Sequence, residues 1–83
     1  MMSRNLVVRI AFAVPAAGPV RMDVFNVQGK LVKTLVDRVL PEGEHEASWD
    51  GSTNEGRRAE AGVYYYRLAT AGKTMSRAML LLP

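Results

Sequence analysis

Apolar and polar residues alternate along most of the chain with the period of two that a β-strand imposes. In the clearest segment, Tyr64, Tyr66 and Leu68 fall on one face, whereas Tyr65 and Arg67 fall on the other. No segment has a convincing helical period. The pattern predicts six strands, at residues 6–14, 19–27, 30–36, 44–49, 62–70 and 73–82.

Turn-forming residues separate these strands. Gly29 can adopt a positive φ at the end of a tight turn, and Asp50 can cap a turn at the start of the most polar stretch, residues 50–58. Strands that recur at intervals of about 8–12 residues are typical of a sandwich or a barrel. We therefore predict an all-β fold, an immunoglobulin-like β-sandwich of six to seven antiparallel strands. Its predicted turn positions are Gly29, Asp50, Gly51 and Gly62.

The inward faces of the predicted strands carry the large side chains. Trp49 is expected to supply most of the buried area, because a side chain of its size dominates a small core. The last strand is apolar at consecutive positions, which predicts that it is buried on both faces or that another element covers one face. The predicted core consists of Phe12, Val24, Trp49, Tyr64, Tyr66 and Leu68.

Length and composition indicate one folded domain over residues 1–83, with residues 1–5 as a flexible or linker start. The hydrophobic fraction of 48% is that of a globular protein. The chain has no cysteine and one histidine, so a disulfide framework and a multi-histidine metal cluster are both excluded within one chain. We predict no cofactor and no metal.

The net charge is +3, with eleven basic and eight acidic residues spread along the chain. Nucleic-acid binding normally gathers basic residues on one face, so the pattern argues against a nucleic-acid partner. No apolar run approaches the roughly 18 residues that cross a bilayer, and Arg9 interrupts the only stretch resembling a signal peptide. We predict protein partners, without nucleic-acid binding or membrane insertion.

Candidate catalytic residues are poorly placed. His45 is flanked by Glu44 and Glu46, but neighbours along a strand point to opposite faces, so neither carboxylate can orient the imidazole. The serines and threonines lack a second histidine as an activating base. The chain is therefore predicted not to be an enzyme.

Asp50, Asn54 and Glu55 offer oxygen atoms that could ligate calcium. Their spacing lacks the repeated carboxylates of a dedicated calcium loop. A polar loop with a side-chain-capped turn at Asp50 is the favoured interpretation.

Exposed strand edges and outward side chains are the candidate interaction sites. Val7 and Ala11 lie on the first strand and Leu80 on the last, and the absence of charge there favours pairing with another chain by strand addition. Tyr65 beside Arg67 is a plausible contact pair. The alternatives are that the terminal strands cover each other or a neighbouring domain, and that Tyr65 only covers a cross-strand neighbour.

Several short motifs follow one another between Val8 and Leu82. The stretch resembles the FlgD-type immunoglobulin-like domain of the flagellar hook-capping protein, and the closely similar type A sorting domains of the type IX secretion system. The motifs that carry the resemblance are Phe12-Ala13-Val14-Pro15, Val24-Phe25-Asn26-Val27-Gln28-Gly29-Lys30-Leu31-Val32, Pro41-Glu42-Gly43-Glu44-His45, Trp49-Asp50-Gly51, Gly56-Arg57, Gly62-Val63-Tyr64-Tyr65-Tyr66-Arg67-Leu68 and Met79-Leu80-Leu81.

The resemblance implies a non-catalytic protein-interaction module of a bacterial extracellular protein, acting as a C-terminal sorting, anchoring or assembly domain. Its partner would be a parent domain, a secretion or surface machinery, or a second copy, and its location extracellular or at the cell surface. A self-associating structural subunit, forming a dimer or filament by edge pairing, is the alternative. A carbohydrate-binding sandwich, suggested by Tyr65 and Trp49, is the third hypothesis.

Overall fold

The computed structural model describes residues 7–83, and every strand pairing in it is antiparallel. The prediction of an all-β, immunoglobulin-like sandwich of six to seven antiparallel strands is confirmed. The strands are β1 (Val8–Val14), β2 (Gly18–Phe25), β3 (Leu31–Leu40), β4 (Gly43–Trp49), β5 (Gly62–Thr70) and β6 (Lys73–Leu81).

The strands form two sheets of unequal width. β1 and β4 make a two-stranded sheet, and β3, β2, β5 and β6 make a four-stranded sheet in that order. Two hairpins, β2–β3 and β5–β6, lie within the larger sheet, whereas the other three connections cross between the sheets. Because two strands face four, the smaller sheet leaves part of the larger one uncovered.

The core lies between the sheets and is organised around Trp49, which has no exposed surface. The Trp49 and Tyr64 rings meet edge to face, with centroids 5.0 Å apart and an interplanar angle of 70°. Trp49 Nε1 donates a hydrogen bond to the carbonyl of Ser52 (2.8 Å), and Tyr64 Oη donates to the carbonyl of Glu60 (2.6 Å). The polar atoms of both aromatic residues are therefore satisfied by the β4–β5 loop, which ties that loop to the core.

A second cluster fills the opposite end of the sandwich. It consists of Ile10, Val14, Val20, Met22, Val36, Leu40 and Leu68. Alternate residues of β1, β2 and β5 thus point inward, as the period of two predicts. Among the predicted core residues, the structure fully buries Val24 and Trp49, buries Tyr64 and Leu68, and half-buries Phe12 and Tyr66.

The predicted turn glycines adopt backbone conformations that side chains disfavour. Gly29 has φ +82°, and its N–H donates to the carbonyl of Asn26 (2.9 Å). Gly51 has φ +84°, and a Cβ placed there would lie 3.2 Å from Cδ1 of Leu81. Gly62 is the first residue of β5, with φ +148°. Gly51 is thus constrained by both its backbone angle and its contact with the core.

β3 is longer than predicted and runs to Leu40 rather than ending at residue 36. Its polar second half, with Asp37 and Arg38, pairs with the first half of β2 and lies at the edge of the sheet, where charged side chains reach solvent. Residues 37–40 pair with β2 in regular register, and the register shifts between Met22 and Asp23 and between Val24 and Phe25 lie opposite the first half of β3. The polar residues of the second half therefore hid the strand.

Of the two alternatives predicted for the last strand, burial on both faces is wrong. β6 is an edge strand, exposed along most of its length, with only Leu81 buried. The terminal strands do not pair with each other either, because β1 and β6 belong to different sheets. The consecutive apolar residues at the end of β6 alternate between the two faces of the sheet, so that Leu81 is buried on the inner face and Leu80 is exposed on the outer face.

Replacing Trp49 by Phe should lower the free energy of unfolding by about 2 kcal/mol, because it removes the bond to Ser52 and leaves a cavity. Urea denaturation followed by circular dichroism measures the change. Tyr65→Phe, on the exposed face of β5, is the matched control and should stay within about 0.5 kcal/mol. Equal stability of the two variants would contradict the central role assigned to Trp49.

Candidate interaction surfaces

The outer face of the four-stranded sheet carries a group of five neighbouring apolar side chains, four of them exposed and one, Phe25, half-buried. Tyr65 pairs with Phe25 on β2, which in turn pairs with Leu31 on β3, and Val63 pairs with Leu80 on β6. Directly paired residues point to the same face, so these five side chains share one surface. Tyr65 is 42% exposed and Leu80 58% exposed. We call this group the apolar patch.

Polar residues lie next to the apolar patch on the same face, two residues further along β2 and β5. The Arg67 guanidinium carbon lies 4.8 Å from the centroid of the Phe25 ring, a cation–π contact. Asp23, paired with Arg67 across the strands, accepts hydrogen bonds from Arg21 Nε (2.8 Å) and Thr34 Oγ1 (2.8 Å). Only 3% of Asp23 is exposed, although it lies on the outer face. These contacts hold the polar row in a fixed arrangement beside the patch.

The structure brings only some of the predicted interaction residues together. Tyr65, Arg67 and Leu80 all lie on the outer face of the larger sheet. Val7 and Ala11 are also exposed, but they lie near the smaller sheet. Val7 precedes β1 and borders a cavity formed with the 50–58 loop. Ala11 lies on β1 and borders a groove between β1 and β6. The predicted residues therefore mark two separate surfaces.

Sequence reasoning missed Phe25, Leu31 and Asp23 as members of the outer surface. Phe25 shares its parity with Arg21 and Asp23, which is the solvent-facing parity of β2. A large aromatic residue among charged ones was the available signal.

The loop between β4 and β5 is held by its own hydrogen bonds. Asp50 Oδ1 accepts from the Ser52 N–H (2.9 Å) and Ser52 Oγ (2.6 Å), which is the side-chain-capped turn expected at Asp50. These bonds lower the pKa of Asp50 below its ordinary value of 3.8, the Ser52 hydroxyl contributing most. Asn54 donates its N–H to the Val32 carbonyl (2.9 Å) and accepts at Oδ1 from the Thr34 N–H (3.1 Å). The loop thus covers part of the free edge of β3.

The remaining polar candidates also make structural contacts. His45 Nε2 lies 2.9 Å from the Pro41 carbonyl, and its ring stacks on Phe12 with centroids 5.7 Å apart. Glu44 and Glu46 point to the opposite face of β4, as the alternation predicts. Within residues 7–83, no three His, Asp or Glu side chains converge as a metal site would require.

Taken together, fold and surfaces define a small immunoglobulin-like β-sandwich with an exposed apolar patch and a separate open strand edge. In the part of the chain described here, no helix has the length and apolarity needed to cross a membrane. The chain belongs to the FlgD Ig-like domain family, whose model matches residues 5–73. The predicted resemblance to the FlgD-type domain is thereby confirmed.

Solved structures agree with this assignment. FlgD from Xanthomonas campestris, described in terms of the hook capping essential for flagellar assembly, is 28% identical, with a TM-score of 0.69 over 93% of this chain. FlgD from P. aeruginosa is 20% identical, with a TM-score of 0.68 over 93% of this chain, and supports the fold alone. This chain spans 58% and 62% of those two proteins, respectively. A search of curated proteins found no match.

The comparisons correct one prediction. A location outside the cell or at its surface, inferred from sorting modules, is wrong: the matching family is that of FlgD, and the X. campestris relative is described through flagellar hook capping rather than surface sorting. The type IX sorting-domain resemblance gains no support from the family match.

Arg21→Met should lower the urea concentration at the midpoint of unfolding, because it removes a donor from the nearly buried Asp23 carboxylate. Urea titration at pH 7 measures the loss. Arg38→Met is the control, since Arg38 makes no ion pair within residues 7–83. If both variants unfold at the same urea concentration, the contact with Asp23 adds nothing to stability.

Because the folded-state pKa of Asp50 is lowered, its ionised form stabilises the loop above about pH 4, and this contribution is lost as the pH falls through the folded pKa. Ser52→Ala should raise the pKa of Asp50 toward 3.8. A carboxyl-carbon NMR titration measures the shift, with Ser48→Ala as the control. An unchanged titration in Ser52→Ala would refute the assigned cause.

Proposed function

We propose that this chain is a non-catalytic domain that works by protein–protein contact within an assembly of the FlgD type. Its family membership supports this role, as does the description of the X. campestris relative through hook capping. The role replaces the sorting and anchoring functions considered from sequence. It keeps their common element, which is contact with another protein.

The apolar patch is the observation that carries this proposal. Soluble monomers rarely expose large contiguous apolar areas, and those that do often use them for binding. Tyr and Arg are among the residues that most often dominate binding energy at interfaces. The patch offers Tyr65 at its centre and Arg67 at its margin, and the contact of Arg67 with the Phe25 ring orders the guanidinium before a partner arrives.

The patch is supported from beneath by the core. Tyr65 lies between Tyr64 and Tyr66 on β5, and both neighbours point into the sandwich. The backbone that presents Tyr65 is also paired on both sides, to β2 and to β6. A partner would therefore meet a rigid surface on which little backbone freedom is lost upon binding.

Carbohydrate binding has less support. Such a site would need an accessible aromatic face, and Trp49 is fully buried. Tyr65 remains exposed, but it lies on a sheet face among apolar side chains rather than in a concave polar site. The surroundings of Tyr65 suit a protein partner better than a sugar.

Self-association through the same patch is the second candidate. Two outer sheet faces can pack against each other with the apolar patch at the centre, as in a dimer with one shared surface. The net charge of +3 on each copy opposes this arrangement. Light scattering separates the candidates, because a concentration-dependent mass indicates self-contact.

The test replaces Tyr65 and Leu80 together by Ser in the chromosomal gene of the source organism. Both side chains are exposed, so the fold should persist, whereas a contact centred on Tyr65 should weaken by about 10- to 100-fold. Electron microscopy of flagellar hooks and swimming in soft agar measure the effect. Complete hooks and normal swimming in this variant would reject the proposal.

Val39→Ser is the matched control for that experiment. Val39 is 70% exposed and lies on β3, outside the apolar patch. This substitution also lowers the hydrophobicity of an exposed strand position, by a smaller step, without touching the proposed contact. Hook assembly should be unaffected, and an equal defect in both variants would show that the effect is not specific to the patch.

A further inference from the structure

The smaller sheet covers the inner face of the four-stranded sheet at β5 but leaves most of β6 exposed. Leu68 on β5 is buried, yet its direct cross-strand partner Met75 on β6 is 41% exposed. Tyr66 is half-buried, and its partner Arg77 is exposed. Paired residues point to the same side, so Met75 and Arg77 face the smaller sheet without being covered by it.

A groove of about 450 Å³ occupies this uncovered region, between β1 and β6. Its lining is apolar along the β1 side and along the floor, through Phe12, Pro15, Tyr66 and Met75. Two cations, Lys73 and Arg77, also line it, and no carboxylate does. Within residues 7–83 neither cation has an acidic partner.

β1 borders this groove with an unpaired edge. Over residues 7–83, β1 pairs only with β4, so alternate backbone N–H and C=O groups on its other side have no strand partner. Ala11 and Ala13 are small and uncharged, and they do not shield this edge. An unpaired edge beside an uncovered apolar floor is the position of a missing third strand in the smaller sheet.

We propose that an extended acidic segment of a different polypeptide adds to the free edge of β1 as a strand and fills the β1–β6 groove. Backbone hydrogen bonds to β1 would supply affinity, as in other cases of strand addition. The side chains of the segment that face the larger sheet would be apolar opposite Tyr66 and Met75 and acidic opposite Lys73 and Arg77, which lie two residues to either side of Met75 on the same face of β6. The seven residues of β1 accommodate a segment of similar length.

Charge and shape favour a different polypeptide over a second copy of this chain. Each copy carries a net charge of +3, so cations in the groove repel another copy overall. The strand edges of a folded copy are also backed by its own opposing sheet, which would collide with β5 and β6 on entering the groove. The inference concerns a surface separate from the apolar patch and does not depend on the hook-assembly role.

The test uses the full chain and two synthetic peptides, acetyl-Thr-Glu-Thr-Val-Thr-Glu-Thr-amide, whose alternate residues place Glu, Val and Glu on one face, and its counterpart with Lys in place of Glu. NMR titration should show the Glu peptide binding at least tenfold more tightly than the Lys peptide. Hydrogen exchange should slow at alternate amides of β1 when the Glu peptide is saturating. Failure of the Glu peptide to bind, or unchanged exchange in β1, overturns the proposal.

Two variants test whether the peptide binds in the β1–β6 groove. Arg77→Glu places a carboxylate in the lining and should reverse the preference between the peptides, while Ser76→Glu makes an acidic change one residue away on the outer face and should preserve it. Equal behaviour of the two variants overturns the assignment. A dimer that Arg77→Glu dissociates, seen by light scattering, would instead make a second copy the occupant.

Discussion

The contact between Trp49 and Tyr64 is the interaction on which the rest of the structure depends. It joins the end of the smaller sheet to the start of β5 in the larger one. The hydrogen bonds of both side chains to Ser52 and Glu60 also fix the long loop between these strands. In a chain of 83 residues without cysteine, few other contacts can connect the layers so effectively.

The unequal widths of the two sheets determine the β1–β6 groove. Two strands can cover only the central part of a four-stranded sheet, so the inner face of β6 remains open beside the free edge of β1. The outer face of the larger sheet has no layer over it in residues 7–83, which leaves Tyr65 and its neighbours accessible. The groove therefore results from incomplete cover of the inner face, whereas the apolar patch lies on the face that a two-layer sandwich leaves open.

These two surfaces lie on opposite sides of the four-stranded sheet and differ in chemistry. The apolar patch is flat and supported by paired strands, whereas the groove is narrow, partly cationic and bordered by free backbone groups. A FlgD-type domain with two such surfaces could contact two partners at once, as a domain in an assembly requires. The chain is 28% identical to the X. campestris protein and spans 58% of its length.

The sequence by itself determined the six strands apart from the second half of β3, the inward faces of β1, β2 and β5, and the turns, because alternation, Trp49 and the glycines act locally or through side-chain size. It could not show what covers each face. Asp23 looked solvent-exposed but is buried by Arg21 and Thr34, which reach it from its own strand and from β3. The apolar β6 looked buried but lies at an edge. Only the tertiary structure decides such cases, since burial depends on which strands become neighbours and how far the opposite sheet extends.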